Sequence, residues 1–298
     1  MNVTEEFVHF HGDDVVAADP EKALFHVLSV PYEETVSYQG GTAAGPRAIL
    51  QASAQLELFD GKSVPAEYGI YTAPPVDTTG KPEAVQAKIA AAVGKCLSLN
   101  KIPVILGGEH SITAGSVTAL QNSYEKFGVI QFDAHADLRE SYLGSKFSHA
   151  CVMKRIYDRK VPFIQIGVRS LSWEEYLFRQ EKNIPFRDAE EIVKNGVESF
   201  QLPAGFPEQV FITFDIDVFD PALVPATGTP VPGGITWYQA MGLIEKIMEQ
   251  RICIGMDVVE LAPVEGLHSP SFTAAQLVYN MMGYLTRSAV NRRYWSLA

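Results

Sequence analysis

The run Ile102-Pro103-Val104-Ile105-Leu106 is almost unbroken in apolar side chains, stops at Gly107-Gly108, and gives way to helical spacing over 112–122. A strand that is apolar on both of its alternating faces must be covered on both. A parallel sheet between helices does this and a half-solvated hairpin does not. The alternation recurs: apolar runs at 24–30, 69–72, 127–133, 162–168, 209–214 and 252–259 predict further strands. Helical stretches are predicted at 46–55, 82–97, 173–181, 189–194 and 237–250, and over 271–289 as one long closing helix. The predicted fold class is therefore α/β, a three-layer α-β-α sandwich with a mainly parallel sheet.

Composition sets the limits around that fold. A chain of 298 residues, 47% of them hydrophobic and 20% charged, can bury a sizeable core. Since α/β folds of roughly 250 residues commonly stay undivided, residues 1–298 are read as a single domain. The net charge of −11, from 24 Lys and Arg against 35 Asp and Glu, argues against a nucleic-acid partner, which a basic surface would serve. It suits a small cationic substrate, and acidic solubility explains it equally well. Cys96, Cys151 and Cys253 match no disulfide framework and no Cys-x-x-Cys metal motif. Residues 1–10 carry acids where a secretory signal would carry bases, and no apolar run approaches the roughly 18 residues of a membrane span. The expectation is a cytoplasmic protein with no membrane partner.

In parallel α/β sheets, ligands bind beyond the carboxyl ends of the strands, and the polar clusters fall there. Asp133-Ala134-His135-Ala136-Asp137 follows one apolar run, His110 another, Asp215-Ile216-Asp217 a third, and Glu260 a fourth. On a strand or its extended continuation, residues two apart share a side, so Asp133, His135 and Asp137 would project together. Burying such a group without compensation costs several kcal/mol per charge, which makes a ligated cation the economical reading. A polar strand end in water, or a turn around Asp220-Pro221, is the alternative. Taken together, His110, Asp133, His135, Asp137, Asp215 and Asp217 exceed what a single small cation needs. Two divalent ions would neutralise the four carboxylates. Oxygen-rich ligation with imidazole suits Mn²⁺ and leaves Zn²⁺, Co²⁺, Ni²⁺ and Fe²⁺ open. A paired centre can lower the pKa of a bridging water to near neutrality.

The motifs Gly107-Gly108-Glu109-His110-Ser111, Asp133-Ala134-His135-Ala136-Asp137, Asp215-Ile216-Asp217-Val218-Phe219-Asp220-Pro221 and Thr227-Gly228-Thr229-Pro230 resemble the ureohydrolase family of arginases and agmatinases. The likeness runs from about Pro31 to the last helix. It implies an arginase-like fold, two Mn²⁺, cleavage of a guanidinium group to an amine and urea, and assembly as a homotrimer or homohexamer. By the same resemblance, His110, Asp133, Asp137 and Asp215 hold one metal and His135, Asp133, Asp215 and Asp217 the other, with Asp133 and Asp215 bridging. Glu260 matches the glutamate that grips the guanidinium, a natural bidentate partner. His149 matches the histidine that shuttles protons at the site mouth, although His149-Ala150 stands where His-Gly is more usual. Thr229 is a candidate substrate contact or a turn residue. Asp217 is carried over as a catalytic as well as a ligating residue. Glu109 replaces the aspartate most familiar in its motif and, with His110 as the ligand, is given no role. His9, His11, His26 and His268 have no constellation around them.

Substrate choice is read by loops. Residues 138–148 lack the Asn, Thr and Ser pattern by which arginases hold an α-amino acid, and with Ser37-Tyr38 and Gly45-Pro46-Arg47 they look more like agmatinases. The expectation is agmatine, hydrolysed to putrescine and urea. Arg139 and Lys146 leave open a guanidino acid such as guanidinobutyrate, or arginine. A metal-dependent deacetylase of similar fold and a non-catalytic relative are the readings from other classes.

Overall fold

The computed structural model describes residues 7–15 and 18–297; most of the acidic opening stretch, residues 1–6, lies outside them. Among the described residues, one sheet is built from β1 (Phe25–Val30), β2 (Ile70–Thr72), β3 (Ile102–Gly107), β4 (Gly128–Phe132), β5 (Phe163–Ile166), β6 (Phe186–Arg187), β7 (Gln209–Asp215) and β8 (Ile252–Val259). Their order is β2-β1-β3-β8-β7-β4-β5-β6, and neighbours are parallel throughout. The helices are α1 (Gly45–Ser53), α2 (Pro82–Ser98), α3 (Thr113–Ser123), α4 (Val152–Asp158), α5 (Trp173–Glu181), α6 (Ala189–Asn195), α7 (Trp237–Gln250), α8 (Ser269–Arg287) and α9 (Ala289–Trp295).

Every residue of β1, β3, β4, β5 and β8 is buried, so both faces of the sheet are covered, as their unbroken apolar character requires. Helices α2, α3 and α4 pack as one group and α1, α7, α8 and α9 as another. Each fully buried Ile, Val or Phe contributes roughly 1.5–3 kcal/mol of apolar burial. Phe132 of β4 stacks on Phe214 of β7 with centroids 5.0 Å apart, and this pair lies one residue before Asp133 and Asp215.

Three sequence expectations change in detail. The closing helix is divided at Ser288, whose extended backbone ends α8 and whose side chain caps α9 by accepting from Asn291 N–H. The two-residue strand β6 offered too short a pattern to be read. Strand β4 ends at Phe132, so Asp133, His135 and Asp137 do not alternate along a strand: Asp137 sits in the left-handed region at φ 53°. They are gathered where the chain bends at Ala134 and His135 bridges to Ser170.

The register sets the site level. Phe132 pairs with Phe214, Asp215 with Val259, and Leu106 with Val258, so β3, β8, β7 and β4, contiguous at the sheet centre, end together. The connection from β3 to β4 passes over β8 and β7, which opens a crevice at those carboxyl ends. Among the described residues, no helix is long and apolar enough to cross a membrane.

Candidate active site and metal centre

His110 opens the short 3₁₀ turn His110–Ile112 after β3 and is completely buried. Asp215 closes β7 and caps the next turn, its Oδ1 accepting from Asp217 N–H at 2.9 Å. Glu260 follows β8 with φ 64°, which turns its side chain off the strand line. The four strand ends deliver their polar groups to one place, as the sequence predicted.

His110 Nδ1 lies 3.0 Å from Asp133 Oδ2, 3.2 Å from Asp137 Oδ2 and 3.4 Å from Asp215 Oδ2. His135 Nδ1 lies 2.9 Å from Asp217 Oδ2 and 3.5 Å from Asp133 Oδ1. Asp133 thus shows one oxygen to each imidazole, as a bridging carboxylate would. Two groups have the spacing of metal ligands: His110, Asp133 and Asp137, and Asp133, His135 and Asp217. Asp215 directs Oδ2 toward the first group while its other oxygen holds the Asp217 backbone.

These residues fit divalent cations on electrostatic grounds. His110 Nδ1 is buried without a hydrogen-bond partner although carboxylate oxygens surround it, an arrangement that suits a lone pair aimed at a cation. Burial, then the Asp133 charge, raises Asp137 to about 6, and burial with Asp217 and Asp133 lifts Asp215 well above the carboxylate range. Burial disfavours the His135 imidazolium, yet Asp217 and then Asp133 outweigh it and hold His135 up at about 12. The cluster repels itself and calls for positive charge.

Supporting residues carry no motif and were missed from the sequence. Thr213 Oγ1 lies 2.9 Å from His110 Nε2 and donates to Asp257 Oδ1 at 2.6 Å, while Thr113 Oγ1 donates to Asp257 Oδ2 at 2.8 Å. Gln131 Nε2 donates to Asp133 Oδ2 at 2.7 Å and is held in turn by Gln165. The Arg169 guanidinium clamps the turn that carries Asp217, donating to the carbonyls of Asp217, Val218 and Phe219 and to those of Gly167 and Val231. Polar residues inside apolar strands, such as Gln131, Thr213 and Asp257, are the signal that could have found the first two sets.

Beside the cluster lies a cavity of about 280 Å³, lined by Asp137, Asp215, Glu260, His149, Arg139 and Thr229 among others. Glu260 Oε1 accepts from His110 N–H at 2.7 Å and lies 3.6 Å from His149 Nδ1. Burial lowers His149, but Glu260 overrides it and brings it up to about 9; His149 Nε2 is buried and unpartnered. Thr229 is half-buried on the cavity wall. Of the two loop cations, Lys146 lies 3.6 Å from Glu140, while Arg139 reaches the cavity with Glu175 3.8 Å away and Tyr142 stacked beneath it. Cys151 is buried and its thiol is pushed up by burial to about 11, which makes it a poor nucleophile. His11 and His26 are buried away from the cluster, and His268 is exposed.

A parallel α/β sheet whose central strand ends present two linked carboxylate–imidazole groups beside an acidic cavity defines the class of metal-dependent hydrolases that work through paired ions. The particular family follows from comparison: the arginase family profile matches residues 23–283, and the chain belongs to that family. It is 40% identical to the N(1)-aminopropylagmatine ureohydrolase of Synechocystis sp., covering 87% of this chain and 88% of that one. It is 34% identical to the agmatinase of Pyrococcus horikoshii, over 92% and 96% of the two chains. The crystal structure of agmatine ureohydrolase of Thermoplasma volcanium superposes with a TM-score of 0.85 at 30% identity, covering 98% of this chain and 97% of that one.

Proposed function

We propose that the protein hydrolyses the guanidine end of a polyamine-type cation, releasing urea, with agmatine as the first substrate and putrescine as its other product. The observation that carries this reading is the cavity. With Asp137 and Asp215 taken up by the metals they are proposed to hold, its walls keep Glu260 as the carboxylate for a guanidinium, and the single guanidinium of Arg139 is already opposed by Glu175, so a cationic substrate is favoured over an anionic one. A guanidino acid would need a free cation at the mouth, and Lys146 turns to Glu140 instead. A second reading, N(1)-aminopropylagmatine, is favoured by the name of the Synechocystis relative. That molecule adds an aminopropyl arm to the same guanidine end.

The ligand set proposed is His110, Asp133, Asp137 and Asp215 for one ion and Asp133, His135, Asp215 and Asp217 for the second, with Mn²⁺ the expected metal. Bound there, the pair supplies hydroxide from water at neutral pH. Glu260 fixes the guanidinium by paired charge-assisted hydrogen bonds and so presents its carbon to the cluster. His149 carries a proton at the cavity wall and gives it to the leaving nitrogen, which departs as a neutral amine. Asp217, on the turn clamped by Arg169, orients the nucleophile, and Thr229 contacts the substrate. Residues 1–298 acting as one catalytic domain, in a homotrimer or homohexamer in the cytoplasm, complete the proposal.

The test is urea release by the Mn²⁺-loaded protein from agmatine, N(1)-aminopropylagmatine, arginine and guanidinobutyrate. The first two should yield urea far faster than the last two. Preference for guanidinobutyrate would refute the cation reading. A fully metallated protein that yields urea from none of them would refute the activity itself, and acetate release from acetylated polyamines would then point to the deacetylase alternative.

A further inference from the structure

We infer that Glu109 is a positioning residue for His149, acting through Thr35; the inference rests on His149 being the proton carrier proposed above. Glu109 is completely buried beside His110, and its carboxylate is engaged by residues 34, 35 and 111. Its Oε2 accepts from the backbone N–H groups of Glu34 at 2.7 Å and Thr35 at 2.6 Å. Its Oε1 accepts from Thr35 Oγ1 at 2.7 Å and from Ser111 Oγ at 2.5 Å. Thr35 Oγ1, oriented by donating to Glu109, then accepts from His149 N–H at 3.0 Å.

That last bond matters because His149 is the first residue of the short turn His149–Cys151, where the leading N–H groups of a helical turn lack acceptors within the turn. The connection spans 114 residues of sequence, so it fixes the His149 loop against a different strand end. Gly108 makes the close approach possible: a Cβ there would fall 2.0 Å from Tyr32 O, and the next N–H, that of Glu109, donates to Tyr32 O at 2.9 Å. The backbone at 32–35 is thereby laid along the end of β3, with the Glu109 carboxylate underneath it. The same loop continues to Ser37 on the cavity wall. A carboxylate given no role by its motif thus joins the metal-bearing turn, the cavity wall and the proton carrier.

The link from Thr35 to His149 can be cut while Glu109 itself is kept. In Thr35→Val the two backbone N–H bonds and the Ser111 bond to Glu109 remain, while the hydroxyl that donates to Glu109 and accepts from His149 N–H is lost; Thr35→Ser restores it. The Mn²⁺-loaded variants would be compared by amide hydrogen exchange and by steady-state kinetics on whichever guanidine the wild-type protein hydrolyses. Thr35→Val should speed exchange at His149 about tenfold, the worth of one hydrogen bond. It should lower kcat about tenfold with KM within about twofold and Mn²⁺ affinity unchanged, since the guanidinium still meets Glu260. Thr35→Ser should return both readouts to wild type. In Glu109→Gln, exchange should rise at Glu34 and Thr35 as well. Wild-type exchange at His149 in Thr35→Val would overturn the inference. So would equal kcat losses in Thr35→Val and Thr35→Ser, or a loss of metal affinity accompanying the loss of kcat. Exchange reads the link even if no guanidine is hydrolysed, so failure of the proposed activity is told apart from failure of this inference.

Discussion

Replacing Thr213 by Val removes one hydroxyl from a completely buried position and keeps the side-chain shape. That hydroxyl stands between His110 Nε2, 2.9 Å away, and Asp257 Oδ1, 2.6 Å away. An ionised Asp257 only accepts, so Thr213 must donate to it and offer its own lone pair to an Nε2–H on His110. With a cation bound, the proton would thereby be kept on Nε2, leaving Nδ1, which faces Asp133, Asp137 and Asp215, to offer its lone pair; without one, those carboxylates hold the imidazole protonated well above its ordinary range. In Thr213→Val, His110 Nε2–H and one Asp257 oxygen lose their partner inside the core. Each buried unsatisfied group costs roughly 1–3 kcal/mol. Loss of an outer partner that fixes a ligating histidine lowers metal affinity roughly 10–100-fold, about 1.4–2.8 kcal/mol. Chelator competition for Mn²⁺ should show this weakening, thermal unfolding of the metal-free protein should show the stability loss, and Thr213→Ser should largely restore both. Wild-type Mn²⁺ affinity in Thr213→Val would refute the argued role of the relay.

Two further outcomes follow from the same geometry. Arg169→Met withdraws the donors from the carbonyls of Asp217, Val218, Phe219 and Val231; at about 1 kcal/mol per net hydrogen bond it should cost roughly 2–4 kcal/mol in denaturant unfolding and weaken Mn²⁺ binding through Asp217. His11, whose ring nitrogens lack partners while the ring packs edge-on against Tyr279, is lowered by burial to about 4. Between about 4 and 6.5 the unfolded chain binds a proton there that the folded one does not, so stability falls with acidification across that window, by on the order of 3 kcal/mol at its lower end. His11→Leu should flatten that part of the stability profile, and an unchanged slope between pH 4 and 6.5 would show that His11 does not contribute to it.

What the sequence made legible was what depends on composition along a strand or on residues close together in the chain. The buried strands could be read because both faces of each are apolar, and helices such as α7 because their apolar residues recur at helical spacing; the capping box of Thr236 and Gln239 that starts α7 is seen in the structure. The convergence of His110, Asp133, Asp215 and Glu260 could be read because a parallel sheet brings all its carboxyl ends to one edge. Local geometry past those ends could not. The left-handed backbone of Asp137 and Glu260 has no sequence pattern. Long-range polar partners were equally silent: Thr35 meets His149, Thr213 meets His110 and Arg169 meets the Asp217 turn across sequence distances that no period reports. The break at Ser288 escaped because serine continues an amphipathic pattern as readily as it caps a new helix.

The proposed activity depends on His110, Asp133, His135, Asp137, Asp215 and Asp217 holding a pair of metal ions. Anomalous diffraction at the manganese edge, from crystals grown with Mn²⁺, measures this directly. Two peaks are expected within the cluster, one on the His110 and Asp137 side and one on the His135 and Asp217 side, with Asp133 between them. A single peak, or peaks elsewhere with the cluster empty, would contradict it.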